Sequence, residues 1–159
     1  MDFKELIETG DGFAQIAFQY KGSREAGMLA WVDDTEMKAW WKADNVIIDP
    51  YPGGMFYITW AENDKINQYT IYGVMELIDD ENHCIKISKI FFMAPGGKLG
   101  PLQLHIWLET AGEETKFCLR HTHNHRGQSQ EFYQASVYAS WPQTFSLLKN
   151  HLEKTRMVA

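Results

Sequence analysis

No stretch of this 159-residue chain approaches the roughly 18 consecutive apolar residues that a membrane-crossing helix needs, which excludes that class. The opening Met-Asp-Phe-Lys-Glu-Leu-Ile-Glu lacks the basic start and apolar run of a secretory signal. Cysteine is scarce: Cys84 and Cys118 are the only two and form no Cys-x-x-Cys pair, so a disulfide framework is excluded. Both thiols are expected free, in a cytoplasmic protein. Basic residues are outnumbered 15 to 21 by acidic ones, a net charge of -6 that leaves no basic face for nucleic acid or an anionic membrane. The acidic residues are scattered and read as a solubilising surface. Classical catalytic patterns are missing as well. There is no Gly-x-Ser-x-Gly elbow, no Gly-x-x-x-x-Gly-Lys phosphate loop and no His-Glu-x-x-His, so no catalytic residue and no cofactor is assigned.

What the chain does have is aromatic side chains, 14% of residues with six Trp among them, in an otherwise ordinary mixture of 45% hydrophobic and 23% charged residues. Aromatics fill cores, and they also line small-molecule pockets. The length suits one compact domain spanning 1–159, with no repeat or linker to divide it.

The order of elements is readable. Phe13 to Tyr20 predicts a first strand. Ser23 can cap a short helix, and Asp33 or Asp34 a second one carrying Met37, Trp40 and Trp41. Strands follow near Val46–Ile48 and Met55–Trp60, parted by Asp49-Pro-Tyr-Pro-Gly-Gly, whose prolines and glycines are turn chemistry. Gln68–Leu77 and Cys84–Phe92 read as further strands around the polar turn Asp79-Asp80-Glu81-Asn82. Ala94 to Pro101 reads as a longer loop, with Gly96-Gly97 as turn glycines. Leu102–Glu109 and Lys116–His123 form the clearest hairpin. Leu102, Leu104, Ile106 and Leu108 share one face of the first arm; Phe117, Leu119, His121 and His123 share one face of the second. Tyr133, Val137, Trp141, Phe145, Leu148 and Leu152 then make one apolar helical stripe. Pro142 predicts a break in it, with Ser140-Trp-Pro-Gln143 as a capping box that opens the main helix after a shorter lead-in.

This order resembles the helix-grip fold of the START-like superfamily: an α+β fold in which a curved antiparallel sheet wraps a long C-terminal helix, with two short helices after the first strand. Within it the residues resemble the branch related to the activator of the heat-shock protein 90 ATPase. The resemblance is carried by Trp40-Trp41, Pro52-Gly53-Gly54-Met55-Phe56, Thr115 through Leu119 to His121, and Ser140-Trp141. Glu114 and Ser140 stand where that branch often has glycine. The resemblance implies a cavity between the concave sheet face and the long helix, and a hydrophobic or aromatic small molecule as partner. Phe56, Ile58, Leu104, Ile106, Phe117, Leu119 and His121 would face it. Trp40, Trp41, Trp141 and Phe145 would close its sides.

His121-Thr-His123-Asn-His125 is the sharpest chemical feature. Residues two apart on a strand share a face, so His121 and His123 are the candidate metal pair. His105 falls on the opposite face with Gln103 and Trp107. The plainer expectation puts His121 in the cavity wall while His123 and His125 run out into a wet loop. Asp44, Asp49 and Glu109 are carboxylates that could pair with a histidine. Three functions stay open: a binder of a lipophilic molecule, a cyclase- or hydrolase-like enzyme using a cavity histidine, and an interaction module acting on a chaperone. The third ranks lowest, because no companion segment for chaperone docking is seen. Trp107 and Tyr138 are candidates for a homodimer surface.

Overall fold

Period-two alternation in the last hairpin sets the register of the whole sheet. In the computed structural model, which describes residues 2–61, 68–95 and 97–158, β7 (Gly97–Ala111) and β8 (Glu114–His123) pair with Leu104 opposite His121, Ile106 opposite Leu119 and Leu108 opposite Phe117. Beyond β8 lie β2 (Phe13–Tyr20) and a short edge strand β1 (Glu8–Gly10). Beyond β7 come β6 (Cys84–Ala94), β5 (Gln68–Asp79), β4 (Met55–Ala61) and β3 (Asn45–Ile48). The described residues thus form one curved, unclosed antiparallel sheet in the order β1-β2-β8-β7-β6-β5-β4-β3.

Two short helices link β2 to β3. Ser23 Oγ accepts from the Ala26 N–H at 3.1 Å and caps α1 (Arg24–Val32). Asp33 Oδ1 accepts from the Glu36 N–H at 2.9 Å and caps α2 (Asp34–Trp41). Each side chain satisfies a donor that the helix itself leaves free. The Pro-Gly-Gly turn forms as expected: Gly53 has φ +88°, and a Cβ on Gly54 would lie 2.2 Å from the Asp49 carbonyl oxygen. Only glycine fits there.

Three expectations need correction. Pro142 does not break the last helix: α3 runs unbroken over Gln128–Val158, 31 residues and about 46 Å. Ser140 caps nothing; its hydroxyl donates back to the Ser136 carbonyl at 2.8 Å. The stripe is buried on both sides of the proline, from Tyr133 and Val137 to Leu148 and Leu152. Burying it whole outweighs the roughly 3 kcal/mol that an internal proline costs.

Second, Ala94–Pro101 is not a long loop. Ala94 pairs with Gly97, Met93 with Lys98 and Phe92 with Leu99, so β7 starts at Gly97 and not at Leu102, where its leucine alternation begins. Pro101 sits where the β6–β7 register shifts, at a place where the ladder needs no N–H from it. Gly100 there has φ +147°, and a Cβ would meet the Ile90 carbonyl oxygen at 2.6 Å. Gly97 is a strand residue, and Gly96 lies outside the described residues. Third, β1 and the single 3-10 turn before it, Phe3–Leu6, were not foreseen; three residues are too few to show a period.

Candidate functional site

The inner face of the sheet is apolar almost throughout, and α3, α1 and α2 lie over it. Trp40, Phe56, Ile58, Leu104, Ile106, Phe117, Leu119, Trp141 and Phe145 are all buried in this interior, while Trp41 and His121 are half-buried. Strand alternation is the cause: Ile58 pairs with Ile71 and Val46, and Ile106 with Ile85 and Leu119. The eleven positions read from the sequence do gather on one side of the sheet.

Aromatic rings run through this interior in a continuous line. Trp41 stacks on Trp40 at 4.8 Å, and Trp40 meets Trp31 at 5.3 Å. Trp31 stacks on Phe117 at 6.2 Å, Phe117 meets Phe145 at 6.1 Å, and Phe145 meets Trp141 edge-on at 5.4 Å. Trp141 in turn stands edge-on to the His121 ring at 5.1 Å. Trp40 Nε1 donates to the Ala30 carbonyl at 2.8 Å and Trp60 Nε1 to the Trp41 carbonyl at 3.0 Å. Trp31 Nε1 is buried with no partner among the described residues. Trp31 and Trp60 were missed as site residues. Trp60 shares the parity of Phe56 and Ile58, and Trp31 lies one helical turn after Met28; both signals were in the sequence.

His121 lies between Ala14 and Leu104 in register, on the inner face. Its Nδ1 is 3.1 Å from the Tyr133 hydroxyl, whereas no described residue hydrogen-bonds its Nε2. That Nε2 is also not among the fully enclosed, unpaired polar atoms. Burial, with a smaller contribution from neighbouring His123, pushes the His121 pKa down to about 4. The imidazole is therefore neutral at physiological pH. Burial also pushes the Tyr133 phenol far up, so it keeps its proton.

His123 does not run out into a wet loop. It is the last residue of β8, 6% exposed, paired with Leu102, and its ring lies 4.3 Å from that of Tyr133. Its Nδ1 accepts from the His125 N–H at 3.1 Å, which places the proton on Nε2. His125 is half-buried and its Nδ1 is 2.8 Å from the Ser129 hydroxyl at the start of α3. His121 and His123 do share the inner face, as alternation requires. Among the described residues, however, no group of three His, Cys, Asp or Glu side chains could hold a metal ion.

His105 points to the outer face, where its Nε2 is 3.2 Å from Cys84 Sγ and its ring 4.8 Å from Trp107. The three carboxylates are engaged elsewhere. Asp44 accepts from the Ala61 N–H at 2.5 Å, Asp49 from the Met55 N–H at 3.2 Å and Glu109 from Trp107 Nε1 at 3.1 Å. None is bonded to a histidine. Tyr138 packs against β1, its hydroxyl 3.4 Å from that of Thr9. A cleft of about 460 Å³ lies at the His123 end of the sheet, lined by Glu76, Ser88, Lys89, Pro101, Leu102, Gln103, Thr122, His123 and Asn124.

A curved antiparallel sheet closed on one side by a long C-terminal helix, with an apolar interior between them, defines the helix-grip fold of the START-like superfamily. The family model described as Activator of Hsp90 ATPase homolog 1-like protein matches residues 29–153, and the chain belongs to that family. Among solved structures it is similar to a protein from Rhodobacter sphaeroides, at 14% identity and a TM-score of 0.77, covering 96% of this chain and 98% of that one. Ms6760 from Mycobacterium smegmatis is similar at 12% identity and a TM-score of 0.75, covering 94% and 97%. DynU16, a protein in the dynemicin biosynthetic locus, is similar at 14% identity and a TM-score of 0.68, covering 91% of this chain and 48% of that one. No curated protein sequence matches the chain. Among the described residues, no helix is long and apolar enough to cross a membrane.

Proposed function

We propose that this protein binds a hydrophobic, aromatic-compatible small molecule between the inner sheet face and α3. One observation carries the reading: the aromatic interior holds polar atoms that the protein leaves unpaired. Trp31 Nε1 is enclosed without a partner, and His121 Nε2 has no hydrogen bond to a described residue. A buried unpaired donor such as Trp31 Nε1 costs about 1–3 kcal/mol, a cost that a polar group on a bound molecule would remove, and His121 Nε2 is free to meet another. Apolar walls with a few convergent polar groups are the usual make-up of a small-molecule site.

The same face is less covered at one end. Trp60, Tyr69, Ile71, Phe92 and Leu99 share the inner parity but are only half-buried. They lie where β4–β5 and β6–β7 reach past the cover of the helices. Phe132, 66% exposed, lies on the opposite flank of α3 from Gln134 and Tyr138, which bond to Gly10 and Thr9 of β1.

Catalysis by His121 as a general base is disfavoured, because a group with a pKa near 4 is a weak base at neutral pH. Burial keeps the proton on the neighbouring Tyr133 hydroxyl and Trp141 has no ionisable group, so neither supplies an activated nucleophile. The test is native mass spectrometry of the purified protein beside its denatured mass, followed by titration with apolar aromatic probes. An organic adduct released on denaturation, or saturable probe binding, supports the reading. A bare mass together with no saturable binding of any probe contradicts it.

A further inference from the structure

We infer that the site selects an uncharged aromatic ligand bearing a hydrogen-bonding oxygen, a phenol or ketone, which meets His121 Nε2. This rests on the binding reading above and specifies its ligand class.

The argument begins with the row across the sheet. Ala14, His121, Leu104 and Ile87 are register neighbours on β2, β8, β7 and β6, so His121 supplies the one polar side chain of that row. Its ring is fixed from above by Trp141, edge-on at 5.1 Å, and by the Tyr133 hydroxyl at 3.1 Å from Nδ1. Those two contacts leave Nε2 as the edge available to a ligand.

Tyr133 also makes that edge adaptable. If its hydroxyl donates to Nδ1, the ring proton sits on Nε2 and the edge is a donor, suited to a ketone. If Nδ1 carries the proton and donates to the tyrosine oxygen, Nε2 accepts from a phenol. Rotating one hydroxyl and moving one ring proton interconverts the two. Neither state presents a positive charge.

Among the described residues, no other buried group provides one. The buried polar residues described are Thr59, His83, Thr115 and His123, with no lysine or arginine among them. At the His123 end the nearby cation, Arg126, is exposed and pairs with Asp11 at 3.8 Å. Arg120 is on the outer parity of β8, over the Phe13 ring at 4.2 Å. A carboxylate taken into this interior would lose its hydration and gain no counter-ion, a penalty that an uncharged oxygen does not meet.

Isothermal titration calorimetry at pH 7.5 with naphthalene, 2-naphthol and 2-naphthoate, on the wild type and on His121→Phe, tests this. The expected order is 2-naphthol tightest, with 2-naphthoate at least about tenfold weaker. His121→Phe should reduce the preference for 2-naphthol over naphthalene about three- to tenfold, the worth of one hydrogen bond. If 2-naphthoate binds as tightly as 2-naphthol, or if His121→Phe leaves the 2-naphthol advantage intact, the inference is overturned while the binding site stands. If none of the three probes binds, the site reading falls and the inference with it. Should His121→Phe fail to fold, the three-probe order on the wild type decides alone.

Discussion

His105 and His121 sit on neighbouring strands, one residue apart in register, and their surroundings have almost nothing in common. Leu104 pairs with His121, while His105 pairs with Arg120 and Lys86 on the outer face. His105 has Cys84 at 3.2 Å and Trp107 at 4.8 Å, and burial followed by the Lys86 charge lowers its pKa. His121 has apolar neighbours, one tyrosine hydroxyl and one tryptophan edge, and burial holds it near 4. A single step of strand parity therefore separates a histidine among charged side chains from one among apolar ones. In this protein the sheet face, more than the residue type, decides what a side chain can do.

The contrast should be sharpest in packing. Phe117→Ala on the inner face should cost about 3–5 kcal/mol, because the ring is fully buried against Phe18, Trp31 and Phe145. Trp107→Ala, one strand over on the outer face, should cost clearly less, and urea denaturation of the two variants would measure the gap. The next effect is on pH. His121 has a folded pKa below its unfolded value of about 6.5, so the unfolded chain binds the extra proton first. Stability from this group is complete above about pH 6.5 and is lost as pH falls towards 4, by up to about 3 kcal/mol. His123, also lowered by burial, adds in the same direction. Denaturation midpoints at pH 7 and pH 4.5 should therefore differ less in His121→Phe than in the wild type.

Tyr133→Phe comes next, at about 1–2 kcal/mol, since it strips Nδ1 of its partner in a buried setting. Thermal unfolding would show it, and a loss below about 0.5 kcal/mol would mean that the hydroxyl contact is not stabilising. The smallest effect belongs to the outward flank of α3. Ser140→Ala should shift stability by less than about 0.5 kcal/mol, because the hydroxyl only bonds back to the Ser136 carbonyl. A loss of about 1 kcal/mol or more in the same melting experiment would restore Ser140 as a helix cap.

Much of this was legible from the chain. Leucine alternation in β7 and the aromatic pattern of β4 gave the inner face, and with it the positions of Phe56, Ile58, Leu104, Ile106, Phe117 and Leu119. Ser23 and Asp33 announced α1 and α2 because a cap is a local chemical event. Pro142 misled, since its cost is local and known while the compensating burial of Leu148 and Leu152 is spread over the whole domain. His123 misled for a related reason: the residues after it, Asn124 to Gly127, are polar, and nothing near it in sequence shows that Tyr133 would cover it. Trp31 was overlooked because its importance lies in its contacts with Trp40 and Trp41 on the next helix and with Phe117, which is distant in the chain.

The neutrality of the inner face can be measured directly by titrating the histidine ring signals in NMR spectra from pH 8 to pH 3.5, with His121→Phe and His105→Gln to assign the two rings. The account predicts that the His121 signal stays that of a neutral imidazole down to about pH 5 and moves only near pH 4. A His121 signal titrating at the ordinary value of about 6.5 would contradict it, because the inner face would then tolerate a charge.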